Sequence, residues 1–323
     1  MQVLLYKPEY KKLWDTFISK AKNATFLFNR NFVEYHKHRF DDYSLMFFKK
    51  EKLIAVLPAN IKNNEVYSHL GLSYGGLVLH EKADFFDVFN IYKLMLQFLE
   101  SNAIKKLHLK ILPSIYCSLP SEEIDYLLYK TKAVLTRTDV TSAIQGANKL
   151  PIASSNRKRG LAKALKQGLV VKENTDFENY WNQLLIPNLQ RTHNAKPVHS
   201  LSEIIHLKEK FPKNIRQFNV YNNSVIVAGA TIFETKQVAR VQYIASNEQR
   251  QQLGGLDLLF HNLIYDVYAD KKYFDFGISN ENAGVNINEG LLHWKESFGA
   301  RTISHKFYTV ETGNHTELDN VMV

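Results

Sequence analysis

The chain has one cysteine, Cys117, in 323 residues. That excludes an intramolecular disulfide and a zinc site built on cysteines. No apolar run approaches the roughly 20 residues that span a bilayer. The opening stretch, MQVLLYKPEY, meets Pro8 and Glu9 too early for a signal peptide. No long heptad-bearing segment is present. No residue pattern implies a metal. These absences predict a soluble, cytoplasmic protein. Acidic residues are missing from one stretch: 140–171 holds six Lys or Arg and no Asp or Glu.

What is present fills out the picture. Hydrophobic content of 45% and aromatic content of 12% suffice for packed cores, and disorder is not expected. A chain of 323 residues exceeds the usual single domain, so two are expected. The formal charge of +9 favours an anionic partner: nucleic acid, a phosphorylated cofactor, a nucleotide sugar or a membrane face. The alternative is simply a basic solvated surface.

Patterning is clearest in the second half. A short strand at 168–174 leads to Asp176, an N-cap for a helix carrying Phe177, Trp181, Leu184 and Leu185. Ser200 caps a second helix, with Glu203 completing a capping box. Strands are predicted at 215–221, 225–234 and 238–246, with Asn222-Asn223 turning between the first two. A helix at 254–269 buries Leu256, Leu259, Phe260, Leu263, Ile264 and Val267 on one face. A strand buried on both sides at 273–278, a helix at 286–298 stopped by Gly299, and a strand at 301–311 complete the half. The first half repeats this order more faintly, with helices at 10–22, 31–39, 84–101 and 121–131 and strands at 3–6, 43–49, 53–61, 66–79, 105–111 and 135–144. The expected division is 1–148 and 149–323. Between the halves, SSNRKRGLAKALKQG reads either as a basic amphipathic helix that binds phosphates or as a solvated connector.

One stretch, NEQRQQLGGLDLLF (247–260), puts amides, Arg250 and two glycines at the start of a helix. Glycines let a backbone approach a phosphate closely, and a helix N-terminus offers unpaired amides and a positive dipole end. Arg250 adds a charge-assisted hydrogen bond. A tight turn in which glycine caps the helix explains the same residues.

The stretches RVQYIASNEQRQQLGG, YFDFGISNEN, GLLHWKESFGA and QRTHNAKPVHSLSEIIHLKEKFP, with the element order, resemble tandem GNAT-fold acyltransferases of the FemAB-like group, and more narrowly those found with bacterial envelope-polysaccharide biosynthesis. The resemblance implies an α/β fold of mixed sheets in two tandem GNAT domains, the first degenerate. It implies acyl transfer from acyl-CoA, acetyl-CoA first, to an amine of an amino sugar or envelope precursor, with no metal. The donor would lie where two central strands part, on the backbones of Tyr243, Ile244 and Ala245. Its pyrophosphate would meet Arg250, Gln251, Gly254 and Gly255, although the second small residue of the usual motif is missing. Asn280 would also face the cofactor. Lys295 matches the Lys of a Fem-type Phe-Lys-x-x-Phe-Gly motif, with Trp294 in place of the first Phe, and would stabilise charge near the reacting groups. The first half has Gly75-Gly76 at the matching place but no helix start after it. It is expected to shape the acceptor cleft, with Ser68, His69, Tyr74 and Gly75 in the lining.

Transfer to an amine needs a base and an acid. His193 is the first candidate base, His199 a second and Asp275 another, although a buried structural ion pair explains Asp275 as well. Arg191, Lys196, His199, Ser279 and Asn282 are candidate acceptor contacts. Two alternatives to acyl-CoA transfer stand: a Fem-type transferase using aminoacyl-tRNA and a peptidoglycan precursor, and a non-catalytic GNAT pair that binds nucleic acid.

Overall fold

The computed structural model describes residues 1–322, apart from the side chains of His193 and Arg250. The chain divides into two compact units, Met1–Asp139 with Ser304–Val323, and Val140–Ile303. The units therefore part at 139/140 rather than at the expected 148/149. The C-terminal segment, expected in the second domain, packs with the first.

In the first unit, strands Gln2–Leu5, Leu45–Lys49, Lys52–Leu57 and Val78–Leu79 form one antiparallel sheet in that order. The helix Phe85–Ser101 lies over a core of Val88, Ile91, Tyr92, Met95 and Leu96. Asp84 caps it by accepting from the Asp87 amide. Lys106–Lys110 pairs antiparallel with Phe307–Glu311 of the last strand, which brings Val310 into the same core.

Two expectations for this unit do not hold. The predicted helix at 31–39 is two short turns, Arg30–Val33 and Lys37–Arg39, preceded by another at Phe26–Phe28. Asn29 ends the turn at Phe26–Phe28 and caps Arg30–Val33 through its side chain, so no run reaches a stable helical length. The predicted strand at 66–79 splits into Glu65–Tyr67 and Val78–Leu79. His69 and Gly76 adopt positive φ between them, which takes the chain out of the sheet.

The second unit is a six-stranded sheet. Its order is Val170–Asn174, Ile215–Asn222, Val225–Glu234, Val238–Ser246 (the central strand), Tyr273–Ile278 (the parallel strand) and residues 141–145. Each pairing is antiparallel except that of the central and parallel strands. One face buries Phe218, Ala230, Ile232 and Val241 against a helix of Gly255–Asn262 that continues through Leu263–Val267. The basic run is helical at Ser155–Lys166 and packs on that same helix through Ala164 and Leu161.

The other face carries helical residues 177–193. Phe177, Tyr180, Trp181, Leu184 and Leu185 turn inward. Tyr180–Leu185 winds as a π-helix just ahead of Pro187, which lacks the amide needed to continue the regular ladder. The capping box at Ser200 forms as expected, with Ser200 Oγ accepting from the Glu203 amide and Glu203 Oε2 accepting from the Ser200 amide. The turn at 222–223 holds Asn223 at positive φ. Among the described residues, no helix is long and apolar enough to cross a membrane.

Candidate functional site

The sheet of the second unit opens in its middle. The central and parallel strands pair only at Val238–Tyr273, Ala239–Phe274 and Arg240–Asp275. Each strand then meets an irregularity. Along the central strand, Ile232 pairs with Val241 but Thr231 with Tyr243, so Gln242 is an extra residue. Along the parallel strand, Asp275 pairs with Ala143 but Ile278 with Thr141, so one extra residue falls at 276–277. Gly277 takes φ +78° there, a conformation that suits glycine. Two facing bulges bend both strands, and beyond them the ladder is open.

Alternation along the central strand fixes which amides face this opening. The Asn247 amide donates to the Val227 carbonyl. Stepping back by twos, Ala245 and Tyr243 also point to that neighbour. The amides of Ile244 and Ser246 therefore face the open side. Of the three backbones expected to hold a donor, only that of Ile244 points there, and Ser246 replaces the other two.

The carbonyls on the opposite bank are occupied. Lys295 is 3% exposed, and its Nζ donates to Gly277 O at 2.8 Å, Ile278 O at 2.6 Å and Ser279 Oγ at 3.0 Å. An ammonium has three donors, and all are used. Burial lowers the Lys295 pKa to about 8, with Asp275 opposing that shift and Arg240 adding to it. Asp275, also buried, accepts from Thr141 Oγ1 at 2.5 Å and from the Gly277 amide at 2.8 Å. Arg240 stands beside it in register. Asp275 and Lys295 thus pin the kinked backbone of the parallel strand. Asn280 ties the end of that strand to its other neighbour: its Oδ1 accepts from the Val140 amide at 2.6 Å. Asn282 is exposed in the turn that follows, at positive φ.

A second group lies under residues 177–193. Tyr243 and His199 are both buried. The Tyr243 hydroxyl accepts from the His199 amide at 3.1 Å and lies 2.5 Å from His199 Nδ1. Trp181 Nε1 donates to the His199 carbonyl, and its ring meets Tyr243 edge-on. Burial raises the Tyr243 pKa to about 12. His199, expected as an acceptor contact, instead anchors the loop before its helix to the sheet. Gln217, Asn219 and Thr231 continue this polar layer, linked by Thr231 Oγ1 to Gln217 Oε1 and Gln217 Nε2 to Asn219 Oδ1.

The glycines of the stretch NEQRQQLGGLDLLF have packing roles. Gly254 sits before its helix at φ +72°, and a Cβ there would come within 2.1 Å of the Gly160 carbonyl oxygen. A Cβ on Gly255 would meet Ala228 of the sheet at 3.2 Å. The first glycine lets the basic helix close on the loop, and the second lets the following helix close on the sheet. Lys163 Nζ donates to the Gln251 carbonyl, and Gln167 Nε2 to the Gln252 carbonyl. The side chain of Gln251 is exposed, and Arg191 is paired with Glu248. Lys196 is exposed. His193 and Arg250 lie outside the described side chains.

Tyr74, expected in an acceptor lining, is a core residue of the first unit, with its hydroxyl donating to Thr25 Oγ1 at 3.1 Å. Ser68 and His69 are buried there as well, and burial lowers the His69 pKa to about 3. A Cβ on Gly75 would overlap the Ser68 carbonyl. Sequence reasoning missed Arg240, Gln242 and Thr141. Arg240 carried a signal, the one charge in the strand VARVQYIAS. The bulge at Gln242 carried none. Gln242 Oε1 is buried without a hydrogen-bond partner among the described residues.

Neither a protein-family model nor a curated protein matches the chain. Solved structures do. A structure of FemX superposes with a TM-score of 0.66 at 10% identity, over 99% of this chain and 100% of that one. L-PGS from Bacillus licheniformis gives 0.59 at 11%, over 95% and 93%. A tandem GNAT protein from the clavulanic acid biosynthesis pathway gives 0.51 at 10%, over 97% and 98%. These likenesses are of fold, and the fold is the tandem GNAT, FemAB-like one.

Proposed function

We propose that this protein is an acyltransferase that moves an acyl or aminoacyl group from an activated carrier to an amine. The opening between the facing bulges, with the Ile244 and Ser246 amides turned into it, carries this reading. Two fixed N–H donors are suited to a carbonyl oxygen that gains negative charge as the tetrahedral intermediate forms. The amine nitrogen bonds to that carbonyl carbon, the bond to the carrier's sulfur or oxygen breaks, and the amine proton passes to a base. We assign the base role to His193. Asp275 and Lys295 are positioning residues here, because their polar atoms hold the bent strand.

On this reading the first donor is an acyl-CoA, with acetyl-CoA the simplest, and the acceptor is an amine of an amino sugar or other envelope precursor. One observation favours a second reading, aminoacyl transfer from tRNA as in Fem-type enzymes. The basic helix lies along the loop at 249–253, with Lys158, Arg159, Lys163 and Lys166 exposed. An RNA-borne donor would find phosphate partners there.

The test is calorimetric titration with acetyl-CoA, longer acyl-CoAs and deacylated tRNA at fixed salt. Saturable binding of a CoA ester supports the first reading. Binding of tRNA alone, weakening steeply with salt, selects the second if turnover with charged tRNA follows. Without turnover, a nucleic-acid-binding role replaces catalysis. Binding of neither class overturns the proposal.

A further inference from the structure

Three neighbouring strands of the first unit bring a carboxylate, an imidazole and a hydroxyl together on one face of the sheet. Tyr67 pairs in register with His108, and His108 with Thr309. Val66, Leu107, Leu109 and Val310 alternate with these residues and face the core. Glu65, Tyr67, His108 and Thr309 therefore point to the opposite face, where each is partly exposed.

Their side chains form one connected set of hydrogen bonds. His108 Nε2 lies 2.7 Å from Glu65 Oε2, and His108 Nδ1 lies 2.9 Å from Thr309 Oγ1. The Tyr67 hydroxyl donates to Glu65 Oε2 at 3.1 Å. Hydrogen bonding from His108 lowers the Glu65 pKa, so the carboxylate only accepts. Nε2 of the neutral imidazole then carries the proton, and Nδ1 accepts from the Thr309 hydroxyl. A hydroxyl held on a base that a carboxylate orients is the arrangement that activates a nucleophile, and it is recognised by geometry rather than by chain position. Tyr67 stacks on the imidazole at 4.3 Å with an interplanar angle of 9°, which fixes the ring. The His108 and Glu65 side chains are 26% and 31% exposed, so the group is open to a substrate.

Two further features define the substrate class. Phe307 lies two residues before Thr309 and flanks the hydroxyl on the same face. Lys106 and Lys110 flank His108 in the same way, and Lys110 Nζ lies 5.8 Å over the Phe307 ring. A ring beside the hydroxyl suits an aryl group. The two ammonium groups suit the negative charge that a carbonyl oxygen gains on attack.

We propose that Thr309, with His108 as its base and Glu65 as the positioning residue, is a nucleophile that takes the acyl group of aryl esters and releases it to water. This activity goes beyond the transferase reading and stands independently of it. Thr309 Oγ1 bonds to the ester carbonyl carbon as its proton passes to His108 Nδ1. The bond to the aryl oxygen breaks, and the phenol leaves with the electron pair and that proton. Water then attacks the Thr309 ester and gives a proton to His108. His108 returns it to Thr309 Oγ1 as the carboxylic acid departs.

The test is incubation of the full chain with 4-nitrophenyl acetate, read by 4-nitrophenolate release and by peptide mass spectrometry after acid quenching. An acetyl group on Thr309 is expected, with turnover continuing past one equivalent. Thr309→Val removes that acetyl group and lowers catalytic release at least about a hundredfold, as does His108→Gln. Glu65→Gln keeps a partner for His108 but not the charge, and it slows release with Thr309 still acetylated. Thr309→Ser retains the acetyl group at position 309. If Thr309→Val does not fold, the peptide map of the unaltered chain and Thr309→Ser decide alone. Absence of acetyl from Thr309, acetyl on lysines only, or unchanged release in Thr309→Val overturns the proposal. Those outcomes leave the transferase reading untouched, because its site lies in the second unit.

Discussion

At the residue scale, Lys295 shows how a buried charge can hold a bent backbone. Two of its three hydrogen bonds go to carbonyls that the parted sheet leaves behind, and the third goes to the Ser279 hydroxyl. Lys295→Met strands the two carbonyls, and a loss of about 1–3 kcal/mol per unsatisfied group is expected in urea unfolding. The pH dependence has a definite sign. The folded pKa is depressed from 10.5 to about 8 by burial. Between those values the unfolded chain binds more protons than the folded one, so this group makes stability rise with pH across that window. The rise should be missing from Lys295→Met when the two stability profiles are subtracted. A matching rise in the variant would remove Lys295 as its source.

Tyr243 gives a sharper separation of roles. Its side chain holds His199, whereas the donor reading rests on backbone amides one and three residues further along. Tyr243→Phe should therefore cost about 1–3 kcal/mol of stability for the lost polar contacts. Donor affinity measured by calorimetry should stay within twofold. A large loss of affinity with stability unchanged would assign the hydroxyl to the ligand.

At the element scale, the two helices that meet at glycines set the geometry of the loop before the site. Gly254→Ala places a methyl group against a backbone carbonyl and forces positive φ on a residue with a Cβ. Gly255→Ala needs only a small yielding of Ala228. Thermal unfolding should rank Gly254→Ala as the more damaging, by about 1–3 kcal/mol. Equal losses would mean that the basic helix is free to move away.

Element-level legibility followed local chemistry. The expected caps at Asp176 and Ser200 both form, because a side chain three residues from an amide needs no distant partner. The basic run was readable as a helix from its leucine spacing. Its docking on the loop at 249–253 was not, because Gly160 and Gly254 are far apart in sequence and glycine carries no pattern. The fold class was legible from element order and a few motifs. The site was only partly so. Asp275, Ser279 and Lys295 do come together, whereas His199 and Tyr74 are buried in structural work. Bulges decide which amides face the opening, and a bulge is set by pairing between strands rather than by the residues of one strand.

At the scale of the whole molecule, the first unit is built from two separated pieces of chain. Its core includes Val310 and Leu318 from the second piece. A chain ending at Ile303 should lose amide-exchange protection in Phe85–Ser101 and Lys106–Lys110 while Val225–Glu234 keeps its own. Loss confined to the second unit would contradict this division. The endpoint is informative because the strand Arg301–Glu311 is cut where its pairing with Lys106–Lys110 has yet to begin.

The same discontinuity orders events during synthesis. A ribosome adds roughly 5–20 residues each second, and domains generally fold as their residues emerge. Here residues 1–139 cannot close their core until the piece at 304–318 has left the exit tunnel. The unit holding the proposed transferase site is complete before that, so the second unit is free to fold while the first still waits with an exposed apolar face. For this protein, the vulnerable interval on the ribosome belongs to the first unit, and it lasts until the strand and turn that carry Val310 and Leu318 have emerged.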